Sequence, residues 1–592
     1  MAQLTCEWLP SVAVLLVLFS VASAQLSFPA PSGYSTSTFN ASAEPTAAVV
    51  QTDFSNSALN VLWNLIGPVA TGPITTTAQP TPEPSLYVQP VVKQFHPLVP
   101  SRDPSLANLK LPPNFKWGLA SSAYQIEGAA KDEGKGPSIW DLLSHRVPNS
   151  VSDNTTGDVV GSHYWLYKQD YARLKNLGIK AFSPSISWPR IFPFGKGPIN
   201  EAGVAHYDDV ISELHKNSIM PAVTLFHWDT PLALYNEYGA WSSPQIVDDF
   251  FNYAKFIISR YDEYVDEWFT INEPQYCNWQ FSYYPSGEYY PTYNSTEPVK
   301  SRFLCGHYTL LAHAKVAKWY HEEFKGKGRI TFKNSGNYYE ANSTKPGDEV
   351  ARQRNFDFAI GWFGGPWTDG DYPTSLKDTL GDLLPTLTTE EKIMIKGSCD
   401  FYAIDGYSSF MAFEVDGGLE ACVSNRSAPG FPDCAGSVST ASNGFPLGPA
   451  ADPAMNWLYS TPDGIRKFLK HLTVLFPSIP DIVVTEFGFA EPFESQISNM
   501  NQILWDLRRA DYFQNYLDSI LASIHYDKVN VTGAWGWAIF DNFEWASGTS
   551  VRFGLQYVNY TSLERTPKAS MFQILNWFRE HEAGGNETIR RL

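Results

Sequence analysis

Two glutamates sit at the ends of apolar runs, Glu273 in "EWFTINEP" (267–274) and Glu486 in "DIVVTEFGF" (481–489). A buried strand ordinarily ends in turn residues, so a carboxylate placed there twice, each time beside aromatic residues, needs a reason. Two carboxyls that face each other across a bound bond can share the work of acetal cleavage. One donates a proton to the leaving oxygen while the other attacks or guides water. Pro274 has no backbone N–H and disfavours the helical region for its predecessor, so Glu273 is expected in an extended conformation at the end of its strand. A single strand-end glutamate is more often a surface charge; two in matching settings point to chemistry.

The elements that must position them read as alternating strands and amphipathic helices from Leu111 onward. The strand candidates are "FKWGLASS", "KAFSPSIS", "MPAVTLFHW", "DEWFTINEP", "RITFKNSG", "FYAIDGY", "DIVVTEFG" and "TGAWGWAIFDN". Between them, segments such as "HYWLYKQDYARLKNLG", "VAHYDDVISELHKN", "IVDDFFNYAKFIISRY", "LCGHYTLLAHAKVAKWYHEEF" and "DYFQNYLDSILASIH" repeat apolar residues at three- and four-residue spacing. Eight β-then-α units predict an α/β fold of the (β/α)8 TIM-barrel type, a single catalytic domain over 106–592 with long βα loops. A doubly wound open sheet is the competitor, but no glycine-rich phosphate loop follows the first strand. In a barrel, Glu273 ends strand four and Glu486 ends strand seven, on opposite sides of the C-terminal mouth where chemistry is placed.

The motifs "WGLASSAYQIEG", "SISWPRIFP", "FHWDTP", "TINEP", "VVTEFGF", "DNFEW" and "RFGL", in this order over about residues 111–582, resemble glycoside hydrolase family 1, the retaining β-glycosidases. The resemblance implies Glu273 as general acid/base and Glu486 as nucleophile. It further implies that Gln125, His227 and Glu544 bind sugar hydroxyls, that Asn272 holds the 2-hydroxyl, and that Trp537 stacks under the ring. Trp228 and Trp545 would line the pocket, Tyr407 would orient the nucleophile, and Trp457 would pack against the leaving group. Neither a cofactor nor a metal is implied. A carboxylate at Glu544 is expected to repel 6-phosphorylated sugars, and a glutamate at 273 argues against a thioglucosidase. The resemblance thus implies a β-glucosidase acting on cello-oligosaccharides or on aryl and alkyl β-glucosides. Transglycosylation and sugar binding without catalysis are the other readings.

Three positions depart from the family pattern. Ser183, followed by Pro184, stands where the family has an arginine that supports the nucleophile; Phe487 follows the nucleophile; and Asp405-Gly406-Tyr407 replaces Asn-Tyr-Tyr. Loss of the arginine should raise the pKa of Glu486 unless another cation takes its place.

Composition sets the context. The chain of 592 residues is 43 % apolar and 15 % aromatic, enough for a very large core, and its net charge of −18 disfavours nucleic acid and anionic membranes as partners. Residues 1–24 read as a signal peptide ending in Ala22-Ser23-Ala24, which predicts a secreted, extracellular protein with no membrane insertion after cleavage and with possible attachment to a wall or matrix. Eight Asn-x-Ser/Thr sequons, at Asn40, Asn154, Asn294, Asn342, Asn425, Asn530, Asn559 and Asn586, fit that route. Residues 25–105 are rich in Ser, Thr, Pro and Ala and read as a low-complexity, mostly disordered spacer, with "ALNVLWNLIG" as one short docking helix. Cys422 and Cys434 flank a Pro/Gly/Ser-rich loop and are the best disulfide pair among five mature cysteines, so at least one thiol is left over within the chain.

Overall fold

The computed structural model describes residues 26–29, 36–37, 56–80, 99–278 and 297–583. The signal-peptide segment and the sequons at Asn40, Asn294 and Asn586 lie outside these residues. Eight parallel strands close into a barrel. They are β1 Lys116–Ala120, β2 Ala181–Ser183, β3 Met220–Phe226, β4 Glu267–Asn272, β5 Arg329–Ser335, β6 Tyr402–Asp405, β7 Ile482–Phe487 and β8 Val531–Trp537. Neighbours in the chain are neighbours in the barrel, and β8 pairs with β1 through Gly533–Lys116 to Trp537–Ala120. Each strand falls on or within a residue of its predicted segment. The sequence pattern explains why. Parallel strands covered by helices are buried on both faces, so they read as continuous apolar runs, and β4 and β7 are buried along their whole length.

The helices between the strands carry the expected stripes. In Gln245–Tyr261 the buried residues are Ile246, Phe250, Tyr253, Ala254, Phe256, Ile257, Ile258 and Tyr261, most of which recur at three- and four-residue spacing. The helix His163–Leu177 stops at Gly178, whose φ of 87° allows its N–H to return to the carbonyls of Leu174 and Lys175. Among the described residues no helix is long and apolar enough to cross a membrane.

A loop addition follows the C-terminal ends of β5 and β6. Tyr338–Ala341, Ser409–Phe413 and Gly436–Val438 form a small three-stranded sheet, and the Cys422–Cys434 disulfide closes the loop inside it. A second disulfide, Cys277–Cys305, joins the turn after β4 to the helix Pro298–Trp319, and Cys399 is the buried free thiol among the described residues. Spacing alone did not single out the second pair, because its cysteines lie 28 residues apart.

The described parts of the 25–105 segment are packed on the barrel rather than held off it as a spacer. "ALNVLWNLIG" forms most of the helix Asn56–Ile66, which buries Ala58, Leu59, Leu62, Trp63 and Ile66. The Trp63 indole donates to the Lys135 carbonyl at 3.0 Å, Ala70 N–H to Asp158 at 2.8 Å, and Ala78 N–H to the Trp165 carbonyl at 2.9 Å. Phe28 packs edge-on against Tyr261 and Tyr264. Few apolar residues suffice here because the barrel supplies the other half of each contact. Trp63→Ala removes the largest anchor, a loss of about 3–5 kcal/mol for a buried aromatic. Limited proteolysis should then cut within 56–80 at a much higher rate, while an unchanged cleavage pattern would show that the helix is held by something else.

Candidate active site

The β4 end departs from expectation in one respect. Glu273 has φ +42°, in the left-handed region, and not the extended backbone that Pro274 was expected to impose. Its N–H still donates to the Lys333 carbonyl at 2.9 Å, so the ladder to β5 continues through it. The N–H groups of Tyr276 and Cys277 then fold back on the Glu273 and Pro274 carbonyls, so the chain must reverse at this residue. Trp228 (φ 74°) and Trp545 (φ 45°) take the same region at the ends of their own loops. Non-glycine residues there cost on the order of 1–3 kcal/mol each and persist only where their surroundings hold them.

Glu486 lies inside β7, in register with Asp405 of β6. Its Oε2 accepts from Tyr407 Oη at 3.0 Å and its Oε1 from Lys333 Nζ at 3.3 Å. An oxygen of Glu273, one of Asp405 and one of Glu486 all lie within 4.8 Å of one another. Asp405 is itself fixed, with its Oδ1 accepting from Thr485 Oγ1 at 2.5 Å. Lys333 and Glu486 are both buried, so their attraction is poorly screened.

Crowding sets the protonation of the group. Burial, then the charges of Asp405 and Glu486, push the Glu273 carboxyl well above the usual range, and Lys333 pulls it back in part. Burial and the Glu486 charge do the same to Asp405. Glu486 is also raised by burial, but Lys333, the Tyr407 hydroxyl and the Asn272 amide favour its anion. The arrangement therefore favours an ionised Glu486 beside a protonated Glu273. Burial together with Glu486 lifts Glu544 to about 8, and burial beside Lys333 keeps His227 neutral.

These carboxyls open onto a cavity of ≈ 540 Å³, within the range of small-molecule sites. His227, Trp228, Asn272 and Tyr407 line it, as do Trp457, Trp537, Glu544 and Trp545. The Trp228 indole donates to the Asn272 carbonyl at 2.9 Å. The rings of Trp228 and Trp545 lie 4.7 Å apart, and His227 stacks between Trp537 and Trp545. Trp457 stands at the mouth, 38 % exposed, with its ring edge-on to Tyr407.

Gln125 is not on the cavity wall. Its amide donates to the Phe543 carbonyl at 2.9 Å, in the loop that carries Glu544, and its carbonyl accepts from Ser122 at 2.7 Å in its own loop, so the side chain ties the two loops together. The repulsion argument for Glu544 also needs correction. A carboxyl neutral up to about 8 repels phosphate little; among the described residues, what disfavours a phosphorylated sugar is that no Lys or Arg lines the cavity wall.

The departures resolve as follows. Ser183 is buried with no partner for its hydroxyl among the described residues, and the positive charge comes instead from Lys333 on β5. Phe487 points away from the cavity and stacks on Tyr516 at 4.9 Å. Sequence reasoning missed Lys333, which reaches Glu486 from β5, and Trp140 and Phe553 on the cavity wall. A signal for Lys333 was present: it shares period-two parity with Thr331 and Ser335 in a strand that is otherwise buried.

Comparison with known proteins agrees with this geometry. The chain is 38 % identical to beta-glucosidase 42 of Arabidopsis thaliana over 500 residues, 82 % of this chain and 98 % of that one. The structure superposes on the beta-glucosidase of Trichoderma harzianum with a TM-score of 0.74 at 34 % identity, covering 82 % of this chain and all of the other. A rice beta-glucosidase variant captured in a covalent complex with Glc matches with a TM-score of 0.74 at 32 % identity, over 80 % of this chain and 100 % of that one. The family model described as glycosyl hydrolase family 1 matches residues 107–582. The chain belongs to glycosyl hydrolase family 1 and is a glycoside hydrolase.

Proposed function

We propose that the protein is a secreted retaining β-glucosidase that releases terminal non-reducing β-D-glucosyl residues from cello-oligosaccharides or from aryl and alkyl β-glucosides. The observation that carries the mechanism is the closeness of the Glu273 and Glu486 oxygens, within 4.8 Å, at one cavity. Retaining enzymes hold their carboxyls about 5–5.5 Å apart, whereas inverting enzymes leave about 6.5–9.5 Å for a water.

In the first half, a Glu486 oxygen bonds to the anomeric carbon as the glycosidic C–O bond breaks, and the Glu273 proton goes to the leaving oxygen. In the second half, Glu273 takes a proton from water, the water oxygen bonds to the anomeric carbon, and the ester to Glu486 breaks. Tyr407 and Lys333 hold Glu486 in its attacking rotamer, and Trp537 and Glu544 face the sugar from the far wall. The cation at Lys333 supports catalysis over passive sugar binding. Trp457, exposed at the mouth, offers a platform for an aryl leaving group and equally for an acceptor alcohol, so transfer accompanies hydrolysis when acceptors are abundant. The two disulfides and the exposed sequons at Asn154, Asn425 and Asn530 support passage through an oxidising secretory route.

Three outcomes test this reading. With p-nitrophenyl β-D-glucoside, Glu486→Ala abolishes turnover and Glu273→Ala lowers it by about 10²–10⁴-fold, while proton NMR shows the β-anomer released first; activity equal to wild type in both variants removes the assignment. The kcat/KM profile is a bell. Activity rises with pH as Glu486 ionises and falls as Glu273 loses its proton, and since both carboxyls are raised the acid limb lies above the ordinary glutamate value of about 4.3. A flat profile between about pH 4 and 8 contradicts the pair. Protein collected from the culture medium of a secreting host begins at Gln25 and loses mass on enzymatic deglycosylation; retention of Met1 with no mass change refutes secretion.

A further inference from the structure

The floor of the site holds more ionisable groups than a two-carboxyl mechanism uses. Around the Glu486 carboxylate are Lys333 of β5 at 3.3 Å and Tyr407, just past β6, at 3.0 Å; oxygens of Asp405 of β6 and of Glu273 at the end of β4 lie within 4.8 Å of it, and Glu544 after β8 and His227 after β3 line the same cavity. From the first two strands the charge at this level is nil, since Ser183 ends β2 and Ala120 ends β1. Lys333 is therefore the single cation facing Glu273, Asp405 and Glu486 among the described residues. It is fully buried.

We propose that Lys333 and Asp405 are positioning residues that work as one charge-balancing unit: Lys333 fixes Glu486 as the attacking anion, and Asp405 shares the acid/base proton with Glu273. This rests on the catalytic roles proposed above. Before reaction, the ammonium of Lys333 is matched by the Glu486 anion, and one proton lies between Glu273 and Asp405. When Glu486 becomes an ester its charge is gone. The Glu273 proton has by then moved to the leaving oxygen, and Lys333 is left to balance the negative charge of the Glu273–Asp405 pair. Glu273 can then act as base toward water beside a cation that has exchanged one partner for another without moving far. Lys333 favours the anionic form of all three carboxyls, as this exchange requires.

The test uses the full-length protein with Lys333→Met, Lys333→Arg and Asp405→Asn, assayed on p-nitrophenyl and 2,4-dinitrophenyl β-D-glucosides after circular dichroism has verified folding. Loss of the cation raises the Glu486 pKa, so Lys333→Met moves the acid limb of kcat/KM up by about one pH unit or more, about a tenfold loss below the limb. Lys333→Arg keeps the limb near its wild-type position. Asp405→Asn removes a like charge from Glu273, so the alkaline limb moves down. It also slows the second half-reaction, seen as a burst of dinitrophenol followed by slow turnover. If Lys333→Met lowers kcat while both limbs stay in place, Lys333 is a structural residue only and the proposal falls. If Lys333→Met does not fold, an unmoved alkaline limb and absent burst in Asp405→Asn still overturn it. Wild-type protein with no turnover of any aryl glycoside refutes the underlying function as well, whereas an active wild type with unmoved limbs refutes this inference alone.

Discussion

One buried ammonium among carboxyls governs the chemistry of this barrel. Lys333 lies 3.3 Å from Glu486, with Asp405 and Glu273 close by and Glu544 across the cavity. Without a cation, this many carboxyls in a low-dielectric pocket would all hold their protons, and none would stand as an anion. With a single cation, one carboxylate is favoured over the rest. The asymmetry between Glu486 and Glu273 follows from which of them touches Lys333 and Tyr407, not from any intrinsic difference between two glutamates.

A second layer of charge holds the loop that presents the far wall. Asp541, in the motif "DNFEW", accepts from Arg552 at 2.6 Å, from Lys568 at 2.7 Å and from the Gly554 N–H at 3.1 Å. Lys568 and Arg509 meet again on Glu494, and Arg509 also binds Asp506 at 2.6 Å. Removing one member would strand the others in the interior, at about 3–5 kcal/mol. The conspicuous ionic residues of "DNFEW" and "RFGL" thus divide into Glu544, which faces the cavity, and a set that anchors it. "SISWPRIFP" works similarly: Arg190 pairs with Glu127 at 3.1 Å, behind the first loop and away from the sugar cavity.

Much of this was legible in the residues. Strand positions could be read because parallel strands wrapped by helices are apolar on both faces, and the carboxylate pair could be read because Glu273 and Glu486 break two such runs at their ends. What escaped was whatever depends on packing between distant segments. The conformation of Glu273 is set by a ladder bond and a turn acting together, and these overrode the local preference of a residue before proline. Lys333 looked like one more polar residue in a strand until the sheet set β5 and β7 on either side of β6, close enough for its ammonium to reach Glu486. Gln125 was expected at the sugar because of its motif; its carboxamide donates to the Phe543 carbonyl and accepts from Ser122, contacts between loops that spacing does not reveal. The Cys277–Cys305 pairing needed the helix after β4 to lie back along the turn, which spacing does not reveal.

The helix Asn56–Ile66 packs against Ile139–Arg146, and that second helix carries Trp140, whose ring reaches Trp545 at 4.7 Å and borders the cavity. The N-terminal segment is therefore a brace applied from outside to the wall of the glycone pocket. A recombinant form begun at the family boundary would expose a greasy strip beside Trp140 and slacken the indole cluster behind it, so the portion that looks most dispensable by composition helps keep that side of the cavity stiff.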